Sequence, residues 1–493
     1  MTLLDHLPAL LVVVPLAGAA LSFVAGHRRA PHVALATGVA IMALAIALTS
    51  RVLTVGPFRY AVGGWTAPVG IDLVADGAST LFILLAATVG LGVTLYATAY
   101  FRTDDETAHG HGLFWTLWLF MWTSLNALFL TGDVFNVYVC LELVGISAVA
   151  LVTVGGTAEA LRAGARYLYA SMLGAMTYLL GVALLYSSTG QLDMAILADK
   201  LTPDVTAATG LALMVAALVL KTALVPAHFW LPAAHGSAPS PVSAALSSLV
   251  VKGSYFVILR LMLYVMPAGY LTGADVVLGV LGATAIVWGS VQALLQTRIK
   301  QLVAYSTVAQ IGYLFLVFPL ARLGADAFAL AVTGVLVHAV SHGLAKAGLF
   351  LAAGSLMSRF GHDRIDAMRG AARSAPLLTF TIALAGVTMM GLPPSGGFGA
   401  KWLLVSSALS AGAWWWALVL VTGGLLAAAY MFRLLAVLLA ESDAALKASR
   451  GVVQTEWVPL LLTTAAVVLV AAIPLITELA AASTILIAAG VTP

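Results

Sequence analysis

Long apolar runs follow one another along almost the whole of this chain. A membrane helix needs about 20 apolar residues to cross the hydrocarbon core, and its backbone must satisfy its own hydrogen bonds there. Such runs lie at residues 8–26, 33–53, 78–100, 113–131, 133–154, 165–187, 208–230, 241–265, 273–296, 302–321, 327–355, 376–408, 412–440 and 457–478. The sequence therefore predicts an all-α polytopic membrane protein with about 14 transmembrane helices.

Composition excludes several other classes of protein. Hydrophobic residues make up 62% of the chain and charged residues 9%, and the net charge of +3 offers no basic face to nucleic acid. The single cysteine, Cys140, cannot form an internal disulfide or a multi-cysteine metal or iron–sulfur site. There is no P-loop, no dinucleotide-binding glycine motif and no zinc-ligand quartet. We expect no cofactor, no metal, and no redox or hydrolytic site within this chain.

The basic residues of the loops predict the orientation of the chain in the membrane. With the N-terminus outside, the inner loops carry Arg28, Arg29, Arg102, Arg162, Arg166, Arg298, Lys300, Arg359, Arg364, Arg369, Arg373, Lys447 and Arg450. The outer loops carry only Arg51, Arg59, Lys200 and Arg322. The first run follows acidic Asp5 instead of the basic region of a signal peptide. We expect a multi-pass protein of the inner (plasma) membrane of a prokaryote, with both termini on the outer side.

Two of the apolar runs are interrupted by proline and glycine close to a lysine. The stretch KTALVPAHFWLPAAHGSAPSPVSAALSSLVVKG starts at Lys221 and passes Lys252, with His228 and His235 between them. The stretch GLPPSGGFGAKW, from residue 391, contains Lys401. A broken membrane helix frees backbone carbonyls, and each charge inside it needs a partner or water. Chains that accept this cost usually move ions or protons.

The two broken runs lie five spans apart, so they cross the membrane in opposite directions. This is typical of an inverted repeat. It predicts a first five-helix bundle at 113–265 and a second, inverted bundle at 273–440. Residues 1–112 then form three N-terminal helices, and residues 441–493 form the last helix and a tail.

Glu142 lies near the middle of the 133–154 run, and Lys221 is its natural partner because an opposite charge nearby keeps both groups ionised. One interpretation is a structural ion pair that locks two helices. The other is a switch, in which separation from Glu142 changes the proton affinity of Lys221. Asp133, at the start of the same run, is either a helix cap or the mouth of an input path.

His338, His342 and Lys346 follow one another at intervals of four residues and therefore share one stripe of a helix. A lone histidine of this kind is usually a core residue, but two that lead to a lysine favour a proton path, since imidazole titrates near neutral pH. Metal binding by the two histidines is less favoured because no acidic or thiol ligand shares the stripe.

Other polar residues of the spans have plainer expected roles. Lys252 is expected between the lysine sites of the two broken runs, where a buried lysine is a usable proton carrier. Tyr305, Ser306, Thr307 and Gln310 are expected to form interhelical hydrogen bonds. Arg260 and Arg433 are expected to extend towards the headgroup region.

Together, the stretch from Lys221 to Arg260, the HxxxHxxxK pattern ending at Lys346, the ELVG segment at Glu142 and GLPPSGGFGAKW resemble the antiporter-like subunits of respiratory complex I and its relatives. The segments GGWTAPVGIDLVADGAS and TGDVFNVYVCLE are similar to the D subunit of Mrp-type multisubunit sodium/proton antiporters. The corresponding subunit of membrane-bound hydrogenases is a close second.

The resemblance implies two inverted five-helix bundles and a hydrophilic axis at mid-membrane. It implies a Glu142–Lys221 pair, a bridging Lys252, a central Lys346 preceded by His338 and His342, and a terminal Lys401. Arg166 stands where many relatives have a lysine and keeps its charge, so it is an accessory residue together with Asp133, His228 and His235. No long lateral helix follows the last span, unlike the most distal complex I subunit.

The expected function is proton translocation in a multisubunit sodium/proton antiporter. The alternative is a proton-pumping subunit of a membrane-bound hydrogenase or complex I-like oxidoreductase. Expected partners are the lipid bilayer, protons and sodium, and other membrane subunits, such as Mrp A, Mrp C and further small subunits or those of an oxidoreductase membrane arm. A solute transporter and a purely structural scaffold are the other classes considered.

Overall fold

The computed structural model describes residues 3–101, 109–267, 269–271, 273–441 and 455–490. Arg102, Lys447 and Arg450, which contribute to the predicted orientation, lie outside these described residues. The helices are α1 Leu7–Val55, α2 Gly77–Tyr100, α3 His109–Leu130, α4 Val134–Thr153, α5 Ala158–Thr189, α6 Met194–Lys200, α7 Val205–Thr222, α8 Leu231–Ser237, α9 Ser240–Ala245, α10 Val251–Arg260, α11 Ala274–Leu295, α12 Ile299–Phe315, α13 Val317–Leu320, α14 Ala325–Phe360, α15 Ala371–Ser374, α16 Pro376–Met390, α17 Gly396–Ser410, α18 Trp414–Leu439, α19 Trp457–Val468, α20 Ile473–Ala481 and α21 Thr484–Ala488.

The predicted all-α polytopic fold with about 14 membrane helices is confirmed. Among the described residues, 12 helical segments are long and apolar enough to cross a membrane. The first of these, Leu4–Val55, has 52 residues and corresponds to the two predicted runs 8–26 and 33–53, which meet at the non-helical Gly26 (φ 72°, ψ 171°). The predicted run 376–408 is the broken pair α16 and α17.

The sequence patterns did not predict a β-hairpin. The polar stretch after α1 forms an antiparallel hairpin of β1 Phe58–Ala61 and β2 Asp72–Ala75. Arg59 of β1 contacts Asp72 at 3.3 Å and Asp193, the N-cap of α6, at 2.7 Å. The hairpin is therefore fixed by charge to the loop that precedes α6.

Polar side chains mark where several of the spans begin. Asp76 caps α2 in a reciprocal arrangement with Ser79, Asp133 caps α4, Thr157 caps α5 and Asp204 caps α7. Each accepts a hydrogen bond from a first-turn backbone N–H that has no partner within the helix. Of the two interpretations of Asp133, a helix cap and the mouth of a proton input path, this hydrogen bond supports the helix cap.

Both broken spans end their first half in the same way. Helix α7 stops at Ala223 (φ 59°, ψ 39°), and α16 stops at Gly391 (φ 79°, ψ 46°), both in the left-handed region that commonly ends a helix. The chain resumes as a helix at Leu231 and at Gly396. The two lysines lie on opposite sides of their breaks, since Lys221 precedes the first break and Lys401 follows the second.

Glycine lets two of the spans approach very closely. A Cβ atom at Gly312 of α12 would lie 2.4 Å from the backbone oxygen of Gly282 in α11, and one at Gly282 would lie 2.7 Å from the Gly312 oxygen. Both contacts are to backbone, which cannot rotate away. Close backbone contact of this kind is a common basis of helix packing in membranes.

We expect Gly312→Ala to lower the free energy of unfolding by about 1–3 kcal/mol, because the added methyl must push the two backbones apart. The measurement is the thermal stability of the purified complex in detergent. Gly38→Ala is the matched control, since its Cβ would meet a flexible Leu91 side chain at 3.3 Å. Equal stability of the two variants would contradict this prediction.

Candidate functional site

Glu142 and Lys221, predicted as partners, face each other. Lys221 Nζ lies 3.8 Å from Glu142 Oε1 and donates a hydrogen bond of 3.0 Å to Ser171 Oγ. Glu142 lies in α4 and Ser171 in α5, while Lys221 occupies the last turn of α7. The Lys221 side chain is 7% exposed and that of Glu142 is 22% exposed. Proline interrupts the span just beyond this last turn.

The carbonyls freed by this break are partly satisfied by an uncharged side chain. Trp230, just before α8, donates its indole N–H to the Leu220 oxygen at 3.0 Å. Its ring also stacks on Tyr167 of α5 with a centroid separation of 4.3 Å. Lys221 is therefore available to Glu142 and Ser171.

Lys252 lies in α10, next to a short π-helical segment at Leu246–Val250. Its side chain is fully buried and Nζ donates to the Ser247 backbone oxygen at 3.0 Å. Ser247 Oγ lies 2.9 Å from Thr307 Oγ1 in α12. Helix α10 also packs against α7, which carries Lys221.

Lys346 is fully buried in α14 and donates to two oxygens of α12, the Val303 carbonyl at 2.9 Å and the Ser306 hydroxyl. Ser306 is adjacent to Thr307, so the polar contacts run from Lys252 through Ser247 and Thr307 to the partner of Lys346. The expected interhelical role of Ser306 and Thr307 is what these contacts show.

His338 and His342 lie one helical turn apart and stack with a centroid separation of 5.6 Å. His338 Nε2 is 3.1 Å from the Gln310 backbone oxygen. Both ring nitrogens of His342 are buried without a hydrogen-bond partner among the described protein atoms, and buried polar atoms that lack a protein partner commonly bond to an ordered water. Across the described part of the chain, no group of three histidine, cysteine or acidic residues is arranged to hold a metal ion.

Lys401, in α17, contacts the backbone carbonyls that the second break leaves free. Its Nζ donates to the Met389 oxygen at 2.8 Å and the Met390 oxygen at 3.2 Å, the freed carbonyls at the end of α16. It also lies 4.4 Å from the centre of the Tyr313 ring. Gln310 donates to the same Met389 oxygen at 3.3 Å, so the contacts continue from His338 through Gln310 to Lys401.

The accessory residues differ in how deeply they are buried. His235 is 1% exposed and stacks on Phe350 at 4.9 Å, and the charges of Lys300, Lys346 and Lys252 act on it. His228 is half-buried in the segment between α7 and α8. Asp133 is 8% exposed, and burial raises the pKa of its carboxyl. Arg166 lies on the exposed face of α5, apart from the buried lysines.

Two expectations about basic residues are wrong. Arg260 does not extend to the headgroups: it is 2% exposed, and Nη2 lies 3.1 Å from Asp76 Oδ1. Lys300, assigned to an inner loop, is 3% exposed in the first turn of α12 and donates to the Ala238 oxygen. In both cases a partner from a distant part of the chain stabilises the charge inside the protein.

Ser171 and Ser247 are the site residues that sequence reasoning missed. A serine in an apolar helix most often bonds to its own backbone, so its type alone does not identify it. A weak signal exists for Ser171, because small residues follow at intervals of three in both helices, at Gly145 after Glu142 and at Gly174 after Ser171.

Similar proteins are known. The family model described as NADH:quinone oxidoreductase/Mrp antiporter, TM, matches residues 131–427. The chain is 37% identical over 438 residues to the N subunit of the NADH-quinone oxidoreductase of Desulforudis audaxviator, covering 87% of this chain and 86% of that protein. It is 29% identical over 362 residues to the D subunit of the Na⁺/H⁺ antiporter of Alkalihalophilus pseudofirmus, covering 70% and 69%.

Two solved structures share the fold over nearly the whole chain. A chain of the Mrp complex from Dietzia sp. superposes with a TM-score of 0.89 at 25% identity, covering 99% of this chain and 97% of that one. A chain of the archaeal membrane-bound sulfane sulfur reductase superposes with a TM-score of 0.88 at 27% identity, covering 97% and 98%. Both belong to multisubunit membrane complexes.

Proposed function

Because this chain belongs to the NADH:quinone oxidoreductase/Mrp antiporter transmembrane family, we propose that it is the proton-translocating subunit of a Mrp-type sodium/proton antiporter. The observation that carries the proposal is a row of buried lysines, histidines and hydroxyls, linked in part through backbone carbonyls and the Gln310 amide, that runs from Lys252 to Lys346 and from His338 to Lys401. The Glu142–Lys221 pair lies at one end, on a helix that packs against the helix of Lys252.

In this mechanism a proton is taken up near Lys221 and Lys252. It then passes by way of the Ser247 and Thr307 hydroxyls to Lys346. The stacked histidines carry it towards Lys401, where it leaves the site. Opening of the Glu142–Lys221 pair removes the nearby negative charge, so Lys221 gives up its proton more easily. Each step moves one proton between neighbouring groups, and water fills the intervals.

A second candidate is the proton-pumping subunit of a complex I-like oxidoreductase, including membrane-bound hydrogenases. The identity of 37% to the N subunit of an oxidoreductase favours it. The same row of buried groups would then conduct the pumped protons, and companion subunits would carry out the electron transfer. Sodium added to vesicles that contain the complete complex distinguishes the two: proton movement driven by sodium indicates antiport, whereas movement only with an electron donor indicates the oxidoreductase.

We further propose that the partners are membrane subunits such as Mrp A and Mrp C, and that the complex lies in the plasma membrane with both termini outside. The described inner-loop arginines, such as Arg28, Arg162 and Arg298, support this orientation. The division into bundles at 113–265 and 273–440 is part of the same proposal, since both contain a span broken at a left-handed residue.

The test of the switch is that Glu142→Ala and Lys221→Ala have the same effect. Each removes one member of the pair, so both should lower sodium-driven proton movement in inverted vesicles by about 100-fold or more, as expected for loss of an acid–base group. Blotting of the assembled complex controls for its amount. Normal transport in either variant, at a normal amount of complex, would contradict the proposal.

A further inference from the structure

Ser171 lies closer to the Lys221 ammonium group than Glu142 does. The separation of 3.0 Å from Lys221 Nζ to Ser171 Oγ is that of an ordinary hydrogen bond, whereas 3.8 Å to Glu142 Oε1 is too long for one. In this structure Lys221 and Glu142 therefore form an ion pair without a direct hydrogen bond between them. The hydrogen-bonded partner of Lys221 is a neutral hydroxyl from α5.

Two glycines shape the space that Lys221 and Ser171 occupy. A Cβ atom at Gly145, one turn after Glu142, would lie 2.3 Å from Ser171 Oγ. A Cβ atom at Gly174 would lie 3.1 Å from Lys221 Cγ and 3.3 Å from its Cε. The lysine chain thus lies across Gly174, and the hydroxyl at its end fits only because residue 145 has no side chain.

Burial explains why a hydroxyl is needed at this position. An ammonium group that is hidden from water must donate to some acceptor. Among the described residues, Glu142 is the charged group whose field acts on Lys221. Ser171 supplies this acceptor at 3.0 Å, while the carboxylate lies beyond hydrogen-bond distance. The more exposed Glu142 can meanwhile be hydrated.

We propose that Ser171 is the positioning residue that keeps Lys221 out of hydrogen-bond contact with Glu142, so that their ion pair stays loose and can separate. The lysine then alternates between the hydroxyl of α5 and the carboxylate of α4. Without the hydroxyl, the ammonium group closes onto Glu142, and the contact pair holds its proton more tightly. This inference rests on the proposed function, since it concerns the switch of the same proton path.

The experiment compares Ser171→Ala and Ser171→Thr in vesicles that contain the complete complex. Transport is followed by the recovery of acridine fluorescence after addition of sodium, over a range of pH. Ser171→Ala should slow transport about fivefold, the equivalent of one hydrogen bond, and should move the pH of half-maximal activity upward. Ser171→Thr keeps the hydroxyl and should restore the wild-type pH profile.

Gly145→Ala gives an independent version of the same change, because its methyl would displace the Ser171 hydroxyl. It should reproduce the slower rate and the shifted pH profile of Ser171→Ala. Gly164→Ala is the matched control: its Cβ would lie 2.3 Å from Thr153 Cγ2, also between α4 and α5 but away from Lys221. Ser147→Ala removes a buried hydroxyl that, within the described part of the chain, bonds to the Leu143 oxygen of its own helix. Neither control should move the pH profile.

The outcomes separate this inference from the proposed function. If Lys221→Ala abolishes transport but Ser171→Ala keeps the wild-type rate and pH profile, the role of Ser171 is overturned and the proton path stands. If Lys221→Ala itself transports normally, the proposed function fails. A Ser171→Ala profile that shifts while the amount of complex is unchanged supports the inference.

Discussion

Lys346→Ala is expected to abolish proton transport while the complex still assembles. Lys346 is fully buried and lies where the contacts from Lys252 meet the histidine stripe. Removing a group that transfers protons typically costs about 100-fold or more in rate. Sodium-driven proton movement in inverted vesicles, normalised to the amount of complex, measures the loss.

Assembly should survive because the partners of Lys346 are the neutral oxygens of Val303 and Ser306. The substitution leaves no opposite charge unpaired, unlike the breaking of a buried ion pair. Lys200→Ala, at an exposed lysine that ends α6, is the control for a lysine-to-alanine change. Wild-type transport by Lys346→Ala would contradict the proton path. Loss of the assembled complex would instead favour a structural role for the charge.

Arg260→Ala is expected to have the largest effect on stability. Asp76 is fully buried, and its carboxylate contacts Arg260 at 3.1 Å and accepts from the Thr484 hydroxyl at 2.7 Å. Arg260 also donates to the Thr131 oxygen at 3.2 Å and lies 4.6 Å from the centre of the Phe256 ring. Loss of one partner of a buried pair costs about 3–5 kcal/mol, because the other charge is left without a counter-charge.

The measurement for Arg260→Ala is the thermal midpoint of the detergent-purified complex, with the exposed Arg322→Ala as control. The double variant Arg260→Met with Asp76→Asn removes both charges and keeps an N-cap, so it should be more stable than Arg260→Met alone. Equal stability of the wild type and Arg260→Ala would contradict a stabilising pair.

The same pair predicts a pH dependence. Burial alone would raise the pKa of the Asp76 carboxyl, but the Arg260 charge and the hydrogen bonds from Thr484 and Ser79 hold it below the usual value. A carboxyl with a lowered pKa stabilises the fold above the pKa of the unfolded chain, about 3.9. This contribution is lost as the pH falls through the pKa of the folded state.

Local patterns predicted a large part of this molecule. The length of each apolar run fixes a span, and the four-residue spacing of His338, His342 and Lys346 places them on one stripe wherever the helix packs. The breaks near Lys221 and Lys401 follow from proline and glycine chemistry alone. These features depend on neighbouring residues in the chain, so one sequence is enough to identify them.

What sequence reasoning missed depends on contacts between distant segments. Ser171 was not predicted because its partner is 50 residues away along the chain. Arg260 was expected at the headgroups because nothing near it in the sequence indicates Asp76, and Lys300 was placed in a loop for the same reason. The π-helical turn that presents the Ser247 carbonyl to Lys252 likewise has no marker in the sequence.

Different side chains satisfy the free backbone carbonyls at the two helix breaks, a neutral indole at the first and a charged lysine at the second. At the first break an indole, which does not titrate, covers the Leu220 carbonyl, so Lys221 can lose its charge without altering the hinge beside it. At the second break the Lys401 ammonium group itself donates hydrogen bonds to two carbonyls of α16. A neutral amine donates more weakly than a charged one. If protons leave through Lys401 as proposed, loss of its charge is expected to weaken the contact between α16 and α17, whereas loss of the Lys221 charge leaves the indole contact at the first break unchanged.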